Sequence, residues 1–346
     1  MCGFGRIGRR HAKIISEFPG ARLTGLIDTD SSARKCARQF YADIPFHDRL
    51  EQFMEADDGR TSVVSICTPN GLHAPLAIQA LQQKYHVVIE KPMALTKGEC
   101  ERIIHASLKN SRNVFVVKQN RYSPPSKLLK SLVEDGILGD IYTVQINCYW
   151  NRDDRYYQEG DWHGSLEYDG GTLFTQFSHF IDIMYWVFGD IENMAVRLNN
   201  FSHRHSIQFE DTGMVHFDFK NGGMGCINYS TSCWDKNMES SITVIGSKGS
   251  IKIGGQYMDK VEYCHIKDYE LPELEPTNPP NEYGPYTGSA ANHHYVIENV
   301  VNTLNGTEEI TTNAIEGMKV VEIIENIYKH RSEHLADLQR SSGFSP

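Results

Sequence analysis

The sequence is short of several things, and each shortage removes a class of function. It contains no C-x-x-C pair, its eight cysteines being scattered at 2, 36, 67, 100, 148, 226, 233 and 264. A disulfide frame and a cysteine zinc site are both disfavoured, and reduced thiols in a cytoplasm are expected. No apolar run reaches the roughly 18 residues of a membrane-spanning helix, and no leader pattern opens the chain. Basic residues are in deficit, 34 Lys and Arg against 44 Asp and Glu, for a formal net charge of −10. Nothing points to nucleic acid or an anionic membrane surface, so an anionic ligand would need a local basic pocket. His203/His205 and His293-His294 lack a Cys or carboxylate at ligand spacing, and no metal site is expected.

What remains is an ordinary globular composition, 40% hydrophobic and 23% charged over 346 residues. That length exceeds what one core usually supports, so two domains are expected, 1–121 and 122–346.

The first domain opens on Gly3-Phe4-Gly5-Arg6-Ile7-Gly8, spaced G-x-G-x-x-G. In a dinucleotide-binding turn the first glycine makes the bend, the second admits a pyrophosphate, and the third packs helix on strand. A helical pattern from Arg9 to Phe18 follows, so the phosphates would sit on a helix N-terminus. An apolar strand, Leu23 to Ile27, then ends in Asp28, twenty residues past Gly8. An acid there hydrogen-bonds the ribose 2′-hydroxyl and repels a 2′-phosphate, which favours NAD over NADP. The fingerprint ordinarily follows a strand, yet the chain begins two residues before Gly3, so an incomplete first strand is expected.

Strands and helices alternate from there, as a parallel Rossmann sheet requires. Three successive strands end in polar, loop-type residues. Ser62 to Cys67 leads into Thr68-Pro69-Asn70-Gly71-Leu72-His73, Val87 to Ile89 into Glu90-Lys91-Pro92, and Val114 to Val117 into Gln119-Asn120-Arg121-Tyr122. Open parallel sheets bind ligands at that end of their strands, so the three loops make a cofactor crevice with Thr68, Pro69, Asn70, His73, Glu90, Lys91, Gln119 and Asn120. The Lys91-Pro92 bond is of the type that can adopt the cis form.

After Pro124-Pro125 the texture changes to alternating runs, with hairpin signals at Asn221-Gly222-Gly223 and Ser247-Lys248-Gly249. A large, mainly antiparallel sheet covered by helices on one face is expected, an α/β domain followed by an α+β domain. Its outer face, with Ile227, Tyr229 and Val244, would associate into a homodimer or homotetramer. Between the strands lies an unusually apolar helix, Thr172 to Val187, interrupted by His179 and Asp182. A buried histidine is either a candidate general base or a core residue satisfied by a carbonyl. Residues 272–292 read as a long loop, His293 to Leu304 and Ala314 to Arg331 as amphipathic helices, and 341–346 as a disordered tail.

As a set, the glycine turn, Thr68-Pro69-Asn70-x-x-His73, Glu90-Lys91-Pro92 and Gly170-Gly171 with His179-x-x-Asp182 resemble the Gfo/Idh/MocA family of nicotinamide-dependent sugar oxidoreductases. The resemblance spans nearly the whole chain. It implies that Lys91 polarises the reacting hydroxyl, that His179 accepts its proton, and that Glu90 holds Lys91 or the nicotinamide ribose. Inositol and glucose dehydrogenases of the family carry Asp four residues before that histidine, where this chain has Thr175. Tyr149-Trp150-x-Arg152, Tyr156-Tyr157 and Trp162-His163-Gly164 look most like a branch oxidising the 3-hydroxyl of UDP-N-acetylglucosaminuronate. Arg121, Arg152 and Arg155 would then meet the diphosphate and carboxylate through their planar forks, with Trp162, Thr175, Asn292 and His293 as further substrate contacts. A dehydrogenase of a free sugar, sugar acid or inositol, an NAD-dependent glycosidase, and a non-catalytic sensor are the alternatives.

Overall fold

The computed structural model describes residues 1–158, 162–282, 284 and 286–341. The tail expected to be disordered lies, from 342 onward, outside the described residues. The chain forms two compact units, 1–118 with 293–321, and 119–292 with 322–346. This differs from the single cut expected after residue 121.

The first unit contains α1 (Arg6–Glu17), β1 (Leu26–Ile27), α2 (Ser31–Phe40), β2 (Phe46–His47), α3 (Leu50–Ala56), β3 (Val63–Ile66), α4 (His73–Gln82), β4 (His86–Ile89), α5 (Lys97–Asn110) and β5 (Val114–Val116). All its strand pairs are parallel: β1 with β2, and β3 through β4 to β5. Cys2 bridges Ile27 and Ile66 in parallel and so joins the two groups. The resulting order, β2-β1-Cys2-β3-β4-β5, is that of a dinucleotide-binding sheet. The place of its first strand is held by Met1 to Gly3. Cys2 N–H donates to the Ser65 carbonyl and Gly3 N–H to the Ile27 carbonyl, both at 2.8 Å. Local chemistry sets the helix starts. Thr96 and Glu99 close a capping box on α5, and the Asp30 side chain caps α2.

The second unit holds α6 (Pro124–Glu134), β6 (Ile141–Tyr149), α7 (Ser178–Phe188), β7 (Ile191–Asn199), β8 (Thr212–Phe219), β9 (Met224–Ser230), β10 (Glu239–Gly246), β11 (Gly249–Gly254), β12 (Lys260–Ile266), β13 (Pro280–Glu282) and β14 (Thr287–Ala290). Seven strands pair in the order β12-β11-β10-β6-β9-β8-β7, antiparallel except β6 with β9. Sequence patterning missed β12 because its exposed Lys260, Glu262, Tyr263 and His265 break the apolar alternation. It missed β13 and β14 because Pro280 and Gly288-Ser289-Ala290 carry no strand propensity.

Cross-strand register fixes which face is which. Val215, Ile227, Ile146, Ile242 and Ile253 form one row across five strands. Each is at most 1% exposed, so this row lines the inner face. Phe177 and Phe188 cover that face, packing on Tyr229 and Phe219 with ring centroids 5.5 and 5.4 Å apart. Ile227, Tyr229 and Val244, expected on the outer face, therefore belong to the core. The period of two placed them together correctly but gave no sign of which side the helices cover. The outer face carries His216, Cys226, Gln145, Thr243, Lys252 and Tyr263 in one row.

The chain ends with α8 (His293–Leu304) and α9 (Ala314–Ser341). Residues 293–321 return to the first unit, where Thr312 exchanges hydrogen bonds with Val116 and covers the edge of β5. Among the described residues no helix is long and apolar enough to cross a membrane.

Candidate active site

The glycine turn has the shape its spacing requires. Gly3 has φ +85°, and a Cβ there would lie 2.6 Å from the Cys67 carbonyl carbon. A Cβ on Gly8 would lie 1.9 Å from the Gly3 carbonyl oxygen, so α1 can approach the turn only through glycine. Gly5 is different: a Cβ there would meet nothing within 4 Å. Among the described residues its missing side chain serves no packing and leaves an open cradle above the N-terminus of α1. Among the described residues no side chain caps that helix, so its first amides are available to an anion. Asp28 stands at the end of β1, accepting from Phe4 N–H at 2.6 Å and from Asp30 N–H at 2.9 Å. Each carboxylate oxygen retains a lone pair for a ribose hydroxyl. These residues fit a dinucleotide.

At the end of β4 the structure assembles a group that sequence reading did not. Glu90 Oε1 lies 2.9 Å from His11 Nε2 and 3.5 Å from His293 Nε2, all three side chains being buried. His11 Nδ1 reaches Ser65 Oγ at 3.0 Å. Burial alone would lower the His11 pKa, but the Cys67 sulfur and the Glu90 carboxylate raise it to about 10. Burial likewise opposes the Glu90 carboxylate, yet its hydrogen bonds with the two histidines hold it well below the usual range. For His293, burial prevails over Glu90 and the pKa is lowered. The three ligand-type atoms lie within 4.8 Å of one another, a grouping that residues so far apart in sequence conceal. His293, expected on substrate, thus turns its Nε2 to Glu90. His11 went unnoticed, although it is the one titratable residue among the buried Gly8, His11 and Ala12 of α1.

Glu90 Oε2 accepts from the Lys91 N–H at 3.1 Å, and the Lys91-Pro92 bond is cis. His73, expected on the cofactor, is wholly buried instead between two strand-end loops. Its Nδ1 lies 2.7 Å from the Pro92 carbonyl and its Nε2 2.9 Å from that of Thr68. The two carbonyls favour the charged ring; burial outweighs them and lowers the pKa. Pro69 leads into a short turn at Asn70–Leu72, where Asn70 is buried.

In the second unit, Gln119, Asn120 and Arg121 form a buried turn. The Gln119 amide lies 3.2 Å from His179 Nε2. Gln119, expected on the cofactor, stands beside the histidine. Arg121, expected on substrate, is paired within the fold. It makes two bonds to Asp182, 2.8 and 2.7 Å, with both side chains at most 5% exposed, and its guanidinium lies 5.3 Å from the Trp186 ring centre. The helical spacing that set Asp182 one turn after His179 supplied the partner of an arginine.

Arg152, also expected on substrate, is buried among protein partners. Its Nε donates to Gln176 Oε1 at 2.8 Å and its Nη1 to the Asn151 carbonyl at 2.6 Å. The rings of Trp150, Tyr156 and Tyr286 lie around it at 4.8, 5.4 and 5.5 Å. Arg155 pairs with Asp153 at 2.6 Å and stays half-exposed. Trp162 stacks on His163 at 3.9 Å. Asn292 is buried and bonded to Asn278 and Ser123.

Thr175 differs from expectation through the backbone. Leu173–Phe177 form a five-residue π turn ahead of α7, so 175 and 179 do not stack as one ordinary turn would place them. The Thr175 hydroxyl donates to the Asp169 carboxylate, which also accepts from Gly164 N–H at 2.8 Å. A carboxylate is thus present beside Thr175, supplied by Asp169 from outside the helix.

Residues 1–118 match the model of the oxidoreductase family, NAD-binding Rossmann fold, and residues 126–252 that of the GFO/IDH/MocA C-terminal domain. The solved WlbA dehydrogenase from Bordetella pertussis, in complex with NADH and UDP-GlcNAcA, is 30% identical with a TM-score of 0.83, over 96% of this chain and 95% of that one. Its counterpart from Chromobacterium violaceum, with the same two ligands, is 28% identical with a TM-score of 0.86, over 96% and 93%. A glucose-6-phosphate 3-dehydrogenase from Bacillus subtilis is 24% identical over 96% of this chain and 95% of its own length.

Proposed function

The chain belongs to the Gfo/Idh/MocA family of NAD-dependent oxidoreductases, and from that premise we propose that it oxidises the 3-hydroxyl of a UDP-N-acetylglucosaminuronate-type nucleotide sugar. The observation that carries this reading is the full-length likeness to two dehydrogenases solved with NADH and UDP-GlcNAcA. A curated relative named as a 3-dehydrogenase supports the position of attack.

The turn Gly3 to Gly8 and the N-terminus of α1 hold the pyrophosphate, and Asp28 the adenosine ribose. NAD, when bound, supplies the hydride acceptor. Lys91 donates to the substrate hydroxyl oxygen and stabilises the negative charge that grows there as the proton leaves. His179 takes that proton on Nε2, the nitrogen that now faces the Gln119 amide. The alcohol loses one hydride and one proton and becomes a ketone. Arg155, the exposed arginine of the three expected on substrate, is the contact for an anionic group, and Trp162 a further substrate contact. The eight cysteines are all free, which supports a reducing compartment such as the cytoplasm. The outer face of the seven-stranded sheet is the surface for a homodimer or homotetramer.

A substrate panel followed by NADH absorbance tests the reading. UDP-N-acetylglucosaminuronate is expected to turn over at least about tenfold more efficiently than glucose 6-phosphate, glucose or inositol. NADH formation with one of those three and none with the nucleotide sugar would overturn it.

A further inference from the structure

The Glu90 carboxylate divides its work between its two oxygens. Oε1 faces His11 and His293, and Oε2 accepts from the backbone N–H of Lys91. His11 comes from α1 and is braced by Ser65 of β3. His293 is the first residue of α8, and its ring meets that of His11 edge-on at 5.5 Å. Two helices of the first unit therefore converge on one buried carboxylate at the end of β4, and that carboxylate anchors the residue after it. We infer that His11 and His293 are positioning residues for Lys91, acting through Glu90 to fix where the lysine leaves the end of β4.

A buried carboxylate stripped of its partners must protonate, turn or admit water. Each of these changes what Oε2 offers the Lys91 backbone. Because a displacement on the order of 1 Å at a reacting group costs about 100-fold in rate, the histidines reach the chemistry without touching substrate. This inference rests on the reading above that Lys91 is catalytic. A His-Glu-His group is also a set of metal-ligand types, but here the His11–Glu90 separation of 2.9 Å is that of a direct charge-assisted hydrogen bond.

The test uses the full chain with the panel substrate that turns over. His11→Phe and His293→Phe are expected to lower kcat about 10- to 100-fold, with the sugar KM and the NAD Kd within about threefold of wild type. His11→Gln, which keeps an N–H donor at the distance of Nε2, is expected to recover most of the loss. In a Glu90→Ala background, His11→Phe is expected to cost less than about twofold more, since the pair acts as one unit. Should His11→Phe fail to fold, His11→Asn takes its place; its shorter amide serves Ser65 but not Glu90, so kcat stays low. Equal losses from His11→Phe with and without Glu90, or a lowered Tm at unchanged kcat, would overturn the inference. So would one equivalent of zinc retained by wild type through gel filtration and lost in His11→Gln. Lys91→Ala separates the two readings. If it still turns over, Lys91 is not catalytic and the mechanism falls; if it is inactive while His11→Phe has full kcat, only the positioning role falls.

Discussion

At the scale of single residues, the side chains that looked most like ligand contacts proved to have partners already. Arg121 and Arg152 read as anion clamps because arginine suits carboxylates and phosphates, yet Asp182 and Gln176 meet those same forks within the fold. Lys91 is half-buried at the end of β4 and keeps its proposed role. Lys91→Ala is expected to lower turnover by at least about 1,000-fold and leave the NAD Kd within about threefold, measured by quenching of protein fluorescence. Loss of NAD binding would make Lys91 a cofactor residue instead. His11 supplies a pH dependence. Its folded pKa of about 10 lies above its ordinary 6.5, so its contribution to stability is complete below about 6.5 and is lost as pH rises through about 10. Glu90 works in the other sense, its depressed pKa contributing above the usual carboxylate range and being lost in acid. Between pH 6 and 10.5 the Tm advantage of wild type over His11→Gln is expected to shrink by about 2–4 °C or more. A constant difference by scanning calorimetry would show that His11 is not charged in the fold.

At the scale of elements, the glycine turn and α1 act together. Gly5 and Gly8 are both glycine, but for opposite reasons, one facing open space and the other a carbonyl at 1.9 Å from where its Cβ would be. Gly5→Ala is therefore expected to keep wild-type Tm within about 2 °C while weakening NAD by at least about tenfold. Gly8→Ala is expected to lower Tm by several degrees, because α1 or the turn must move. Calorimetry and an NAD titration on both variants check this. An equal effect on Tm would deny that the space above Gly5 is a cradle. The π turn before α7 is the second element-level feature. It moves Thr175 out of simple register with His179 and lets Asp169 reach it. Such turns recur at functional sites because one extra residue re-aims the side chains beyond it.

At the scale of the molecule, each unit has its own sheet, and the chain crosses between units more than once. Residues 293–321 rejoin the parallel sheet after the antiparallel one is complete. His293 thereby becomes a partner of Glu90. The outer row of the seven-stranded sheet mixes His216, Cys226, Gln145, Thr243, Lys252 and Tyr263, while Met214 and Met224 on neighbouring strands are more than half exposed. Light scattering is expected to give a mass of two or four chains, and Gln145→Arg with Met214→Arg to shift it toward one. A wild-type mass of one chain would remove the association surface.

The sequence by itself determined what depends on local spacing. The G-x-G-x-x-G turn, Asp28 at its distance, the alternating strands, and the order of motifs that names the family all follow from residues near one another in the chain. So did the existence of α8 and of most sheet strands, because a period of two or 3.6 is written in adjacent residues. Only the tertiary structure decided which face of the second sheet is covered, since alternation fixes a pair of faces but not which one meets the helices. It alone decided that Glu90 stands between His11 and His293, and that Arg121 is neutralised by Asp182. Partners in a folded chain are chosen by distance in space. For buried charges that choice is forced by the cost of leaving them alone, a cost no local pattern records.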